Sequence, residues 1–291
     1  MTTLSRDQLP HGTRGLGIHT AGRSRVVLGC VLASASAVLL TLGFAPYDAW
    51  WLVWFAFVPM IVAQYRVLPA AWSGLGPAIG FGGFMEGYFG GDFFPGRAAW
   101  YMKILPLLVA VLIFVGSRRE RARQERAGYR AWPLLAAMTW VVIDLVRAHV
   151  PVLATWGFSG YALYRQPWLI QPVRVVGIFG LDLLIMLVNY AFAMAAIAIL
   201  DRRRMFETRV TIVPRHAARW CGGVLLLLAA WCAFGLSTPD RGEPIVRVAV
   251  LQPGVRPREL GSTREARDRA MLARLSDQTR EAAARGARLV V

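Results

Sequence analysis

Lysine is almost missing from this chain. Of its 33 basic residues only Lys103 is not arginine, and 17 acidic residues leave a formal charge of +16. Any chemistry that needs a lysine amine therefore has a single candidate. Cysteine is nearly as scarce. Cys30, Cys221 and Cys232 all fall in apolar stretches, which excludes a disulfide framework or a Cys-x-x-Cys metal site and leaves them as small buried hydrophobes. No phosphate-binding glycine loop, metal-ligand spacing or serine-triad motif is present, so no metal or other cofactor is expected. Residues 1–25 carry four arginines but no short apolar core followed by a small-residue cleavage site; they read as a cytoplasmic, poorly ordered tail rather than a signal peptide.

What the chain has in abundance is apolar surface. It is 56% hydrophobic with a mean hydropathy of +0.45, too apolar for a soluble domain of 291 residues. A charge of +16 ordinarily raises the question of nucleic acid. Here the arginines sit in short loops between apolar runs rather than on one face, so they report topology and no nucleic-acid partner is expected.

A bilayer-crossing helix needs about 20 mostly apolar residues. Seven stretches meet or approach this: Val26–Ala45, Trp50–Tyr65, Trp72–Phe94, Trp100–Gly116, Trp132–Val150, Pro172–Leu200 and Trp220–Leu236. The second is short, and the sixth is long enough to be tilted or broken around Gly177 and Gly180. Tryptophans stand at the starts of most spans, where an indole suits the headgroup layer. The expected fold class is thus mainly α, a polytopic membrane bundle of about seven transmembrane helices over 26–236. With seven spans, seventeen arginines fall on one side: in the tail, at Arg66, in the loop 118–130 and in the loop 202–219. The opposite loops hold only Arg97 and Arg165. Positive loops stay in the cytoplasm. The expectation is a multi-pass membrane protein with a cytoplasmic N-terminus and an extracytoplasmic C-terminal segment.

After Leu236 the character changes. Residues 237–244 form a Pro/Gly-rich linker, Ile245–Gln252 reads as a strand, Thr263–Arg285 as an amphipathic helix stopped at Gly286, and Leu289–Val291 as a second strand. Strand, helix, strand is the unit of a parallel α/β layer. About 50 residues with two strands leave both sheet edges open, so 245–291 is expected to be an incomplete α/β start.

Several segments, taken in order, resemble a known family. Phe44–Pro59 is similar to its first loop and second span. Ile143–Arg147 followed by Trp156–Tyr161 is similar to its acidic-x-x-Arg helix and aromatic loop. Gln171, Gly177–Gly180 and Leu187–Asn189 match its sixth span, and Val248–Pro253 its first soluble strand. The family is that of the bacterial apolipoprotein N-acyltransferases, a helical membrane domain carrying an extracytoplasmic nitrilase-like (carbon-nitrogen hydrolase) domain. The resemblance implies an N-acyltransferase: a Cys thiolate takes an acyl chain from a membrane phospholipid, the donor, and passes it to the N-terminal diacylglyceryl-Cys of a lipoprotein, the acceptor. A Glu base and a Lys that stabilises the oxyanion would complete a Glu-Lys-Cys triad. The family's Glu follows the second soluble strand in a Trp-Pro-Glu motif and would lie beyond Val291. With one Lys and three Cys, all in apolar spans, these 291 residues read as a C-terminally truncated fragment lacking the triad and inactive by itself.

The residues that remain are judged by cost. Ionisable groups inside spans are expensive. Asp144 and Arg147, three apart, are expected to pair on one helix face. Glu86 lies among Gly80, Gly82, Gly83, Gly87, Gly90 and Gly91 and is expected to be buried against a neighbouring helix. Asn189 joins them as an intramembrane polar residue. The loop 151–172, with Trp156, Phe158, Tyr161, Tyr164 and Trp168, is the candidate for substrate or lipid contact, against a plain aromatic belt. His149 and His216 are isolated, Lys103 can reach a headgroup layer, and the arginines of 118–130 suit anionic headgroups. The competing function is a non-catalytic membrane anchor or partner module for another envelope acyltransferase or glycosyltransferase. A transporter is disfavoured, since no inverted repeat is evident.

Overall fold

The computed structural model describes residues 14–89, 100–150, 155–206, 208, 210–237, 246–252 and 261–291. The expectations for residues 1–13, Gly90, Gly91, Arg97 and nearly all of the linker 237–244 lie outside the described residues, as does the side chain of Lys103 in α4. The chain divides into two compact units, Met1–Thr238 and Pro239–Val291.

The first unit is helical: α1 (Arg14–Gly43), a 3-10 turn (Trp50–Trp54), α2 (Val58–Val62) running into a π turn (Ala63–Val67), α3 (Leu75–Phe89), α4 (Trp100–Ala127), α5 (Trp132–Ala148), a short α6 (Pro167–Ile170), α7 (Val173–Arg202) and α8 (Pro214–Ser237). Gly22–Gly43, Trp50–Val67, Val173–Arg202 and Pro214–Ser237 are each long and apolar enough to cross a membrane. The other three expected spans coincide with α3, α4 and α5. Fifteen residues of α3 and seventeen of α5 are described, and α4 turns charged from Arg118 onward. The helix expected from Val26 begins at Arg14 instead, so part of the expected tail is helical. Trp220 lies inside α8, more than a turn from its start.

Helix α7 is central, with α5 and α8 packed on it, and from Leu181 to Ala198 most of its residues are buried. The break expected in this span falls at Gly177, whose φ of 69° and ψ of 176° interrupt the helix. On the other side, α1 and α3 pack through glycines. A Cβ on Gly83 would stand 2.9 Å from the Ala37 methyl, and one on Gly87 2.7 Å from Thr41 Oγ1, so these positions let the helices approach closely. This seam explains a correction. Glu86 is exposed rather than buried, because each helical residue turns about 100° from the last and the neighbour of Gly87 is rotated off the contact.

The second span is broken into pieces, and its loose backbone groups are satisfied by side chains. No water is available in a bilayer interior, so every N–H and C=O there needs a protein partner. Phe57 N–H donates to Asn189 Oδ1 at 3.0 Å, Met60 N–H donates to Ser36 Oγ at 2.9 Å, and the Asn189 amide donates to Val53 O at 2.9 Å. Where the segment ends, its carbonyls accept from arginine: Gln64 O and Leu68 O from Arg121, both at 2.8 Å, and Arg66 O and Val67 O from Arg25, both at 3.0 Å. Arg25 and Arg121, which the sequence offers only as loop charge, therefore also cap this segment.

Arg66 is a stronger case. It is 2% exposed and bidentate to Asp201, at 2.7 and 3.0 Å, and it also donates to Tyr65 O, Tyr129 Oη and Val210 O. Asp201 Oδ2 further accepts from Ile212 N–H at 2.8 Å. One ion pair thus gathers the second span, α7 and the loops before α5 and α8. Burial pushes the Tyr129 phenol above its ordinary value, against the opposing pull of Arg66, so it stays neutral in this cluster.

In the second unit, α9 (Arg264–Ala284) lies between β1 (Val248–Ala249) and β2 (Leu289–Val290), which pair in parallel. Thr263 caps α9 by accepting from Ala266 N–H at 3.2 Å, and Gly286 ends it with a φ of 83°. The expected strand 245–252 is assigned only at Val248–Ala249, although Leu251 N–H still donates to Val291 O at 2.8 Å. Val250, Leu272, Leu289 and Val291 are all exposed, and among the described residues of this unit only Ala282 is buried.

Candidate functional site

The aromatic loop is built on a frame of charged and polar groups. Its described part starts at Thr155. At the end of α5, Arg147 donates to Asp144 Oδ1 at 2.7 Å and to Trp156 O at 2.6 Å, and its guanidinium lies 4.8 Å from the Phe158 ring centroid. The expected Asp144–Arg147 pair therefore exists, and it also clasps the loop. Phe158 is fully buried beneath that guanidinium and packs on Tyr161 and Phe179.

From α7, Asp182 reaches the same loop. Its Oδ1 accepts from Gly160 N–H at 2.6 Å, it is fully buried, and its Oδ2 has no hydrogen-bond partner among the described residues. Gly160 packs closely here, since an added Cβ would stand 2.7 Å from Ile178 Cδ1 and 3.0 Å from Leu181 Cδ2 and those side-chain ends would have to shift. A third carboxylate holds the outer edge. Asp48, in the turn after α1, accepts from Tyr164 Oη at 3.0 Å and pairs with Arg165 at 2.8 Å.

Of the five aromatic residues picked out from sequence, Phe158 is buried and the other four separate into two groups. Trp156, Tyr161 and Tyr164 are 56%, 42% and 49% exposed. Trp168 is half-buried in α6, which α8 holds: Trp231 Nε1 donates to Leu169 O at 2.7 Å, and Gly235 lies directly against Trp168 O. Asn189 is fully buried within the second-span contact and Glu86 is on α3, so neither joins this loop. Asp182, Asp201, Asp48 and Ser36 were not singled out from sequence. For Asp182 the signal is present, because it is a carboxylate within the sixth apolar span, the same cue that marks Asp144, whereas Asp201 stands one residue past the end of that span. Asp48 and Ser36 carry no such cue.

This arrangement can bind an amphipathic or apolar group against a rigid aromatic surface, and none of the three cysteines lies in it. Cys30 lies in α1, and Cys221 and Cys232 lie in α8, where the Cys221 thiol donates to Ala191 O at 3.3 Å. Among the described residues no group of three metal-ligating side chains comes together.

Fold and site together define a helical membrane domain that presents a braced aromatic loop. Residues 36–191, which include the broken second span, the Asp144–Arg147 clasp and the loop, match the apolipoprotein N-acyltransferase N-terminal domain. The chain belongs to that family and is a bacterial membrane protein. Two curated apolipoprotein N-acyltransferases, from Geobacter metallireducens and Rhodopseudomonas palustris, are each 27% identical to it, over 247 and 245 residues. In both cases the match covers 77% of this chain and 43% of the relative, so the chain spans less than half the length of the relatives it matches.

Proposed function

We propose that this chain supplies the membrane domain for apolipoprotein N-acylation, in which an acyl chain moves from a membrane phospholipid to the N-terminal diacylglyceryl-Cys of a lipoprotein. The observation that carries this reading is the family match over 36–191 together with the loop inside it. Trp156, Tyr161 and Tyr164 form an outward aromatic edge held by three separate carboxylates. An indole and two phenols at an interface accept both hydrocarbon and polar headgroup, which suits the guidance of a lipid substrate. The bundle crosses the cell membrane seven times, with the arginine-rich loops in the cytoplasm and the aromatic loop and residues 239–291 outside it. Residues 245–291 are the opening of a nitrilase-like domain. Acyl transfer through a Cys thioester requires a Glu-Lys-Cys set that these residues do not provide, since the cysteines and Lys103 all lie in α1, α4 and α8. The 291-residue polypeptide by itself is therefore inactive.

A chimera tests this reading. Residues 36–238 replace the matching part of the Geobacter relative, and lipoprotein N-acylation is followed by mass spectrometry in cells depleted of their own acyltransferase. The chimera restores N-acylation, Trp156→Ala with Tyr161→Ala lowers it, and the 291-residue chain alone gives no rescue. A chimera that inserts and folds yet leaves lipoproteins unacylated favours an anchor or partner module instead; rescue by the chain alone refutes its inactivity.

A further inference from the structure

One cavity in the first unit shares the Asp144–Arg147 pair with the frame of the aromatic loop and runs from there toward the arginines of α4. A cleft of about 950 Å3 opens between α4 and α5, floored by α2, α3 and Tyr190 of α7. It follows α4 from Val109 to Arg126 and α5 from Ala136 to Arg147. At 1.5 Å per residue these lengths are about 25 Å and about 16 Å. The shorter one matches one leaflet, half of a hydrocarbon core of about 30 Å. Its walls are apolar, with Leu112, Ile113, Trp140 and Ile143 among them.

The two ends differ in charge. At one end Asp144 and Arg147 neutralise each other. At the other, Arg119, Arg123 and Arg126 line the cleft against a single carboxylate, Glu120, which pairs with Arg123. Three guanidinium groups less one carboxylate leave a charge of +2. Arg119 and Arg126 have no ion-pair partner among the described residues. We propose that this cleft is a binding site for one anionic phospholipid, with its phosphate at Arg119 and Arg126 and an acyl chain along the α4–α5 wall.

The charge argues for a phosphodiester with a net negative headgroup over a zwitterionic one, because each arginine near the surface favours it. This site lies at the arginine-rich end of the bundle, and it stands whether or not the proposed acyl transfer does.

The test is native mass spectrometry of the full 291-residue chain in mild detergent, offered phosphatidylglycerol and phosphatidylcholine of identical acyl chains. The unmodified chain retains one phosphatidylglycerol and prefers it at least about tenfold over phosphatidylcholine. Arg119→Gln with Arg126→Gln lowers phosphatidylglycerol retention about thirtyfold and removes the preference. Gly116→Leu lowers retention of both lipids, because a Cβ at Gly116 meets no atom within 4 Å and the new side chain fills the cleft without displacing backbone. Equal retention of the two lipids by the unmodified chain overturns the proposal. So does a preference that survives the double arginine change, or retention that survives Gly116→Leu. A dimer lost on Gly116→Leu with no lipid bound assigns the cleft to a second copy and overturns it as well.

Discussion

Arg66→Met should be among the most damaging single changes in the membrane unit, and a second change should largely repair it. Arg66 donates to two Asp201 oxygens, two backbone carbonyls and the Tyr129 phenol, and its side chain and that of Asp201 are 2% and 3% exposed. Removing the cation leaves Asp201 as an uncompensated buried carboxylate, with only Ile212 N–H to satisfy it. Breaking a buried pair from one side costs about 3–5 kcal/mol, whereas replacing both partners by apolar groups is often close to neutral. Arg66→Met with Asp201→Leu should therefore lose no more than about 2 kcal/mol, most of it from the orphaned Val210, Tyr65 and Ile212 backbone groups. Stability of the four variants in one detergent, by reversible denaturant titration, gives the coupling directly. With either single change costing about 3–5 kcal/mol and the double no more than about 2, the expected coupling is at least about 4 kcal/mol in favour of the pair. Additive single and double losses would refute the reasoning, since Arg66 would then act as a solvated loop charge.

Asn189→Leu keeps volume but removes the partner of Phe57 N–H and Val53 O, and two orphaned buried backbone groups should cost about 2–5 kcal/mol; the same titration checks this, and Asn189→Asp, which keeps the acceptor but sets a buried carboxylate against the Val53 and Ile185 carbonyls, should lose at least as much. Gly160→Ala should loosen the loop's contact with α7, because its methyl displaces the ends of the Ile178 and Leu181 side chains and crowds Asp182 Oδ1. Hydrogen exchange over 155–164 should speed by an order of magnitude or more, while α1 and α3 keep their protection.

The legible part of this chain was its apolar periodicity and its expensive exceptions. Asp144 and Arg147 stood three apart in an apolar run, and their pairing follows from helix geometry alone. Gly177 marked the break in α7, and Thr263 and Gly286 marked the ends of α9. Glu86 was misjudged because glycines surround it in sequence, whereas only one azimuth of α3 meets α1. Arg66 and Arg121 were counted as topology when their side chains also complete the interior. Loop position indicates the side of a membrane, but not what a long side chain can reach.

The sequence by itself determined that this is a helical membrane protein, which residues are costly to bury and which family it resembles, because hydropathy and helical spacing are local properties. Tertiary structure alone decided which distant groups satisfy one another: Asn189 and Ser36 for the broken second span, Asp201 for Arg66, Asp182 and Asp48 for the aromatic loop. Those partners lie 22 to 136 positions apart along the chain. No local pattern encodes such a distance. In a bilayer interior an unpartnered polar group is too costly to keep, so the packing of helices selects the partner.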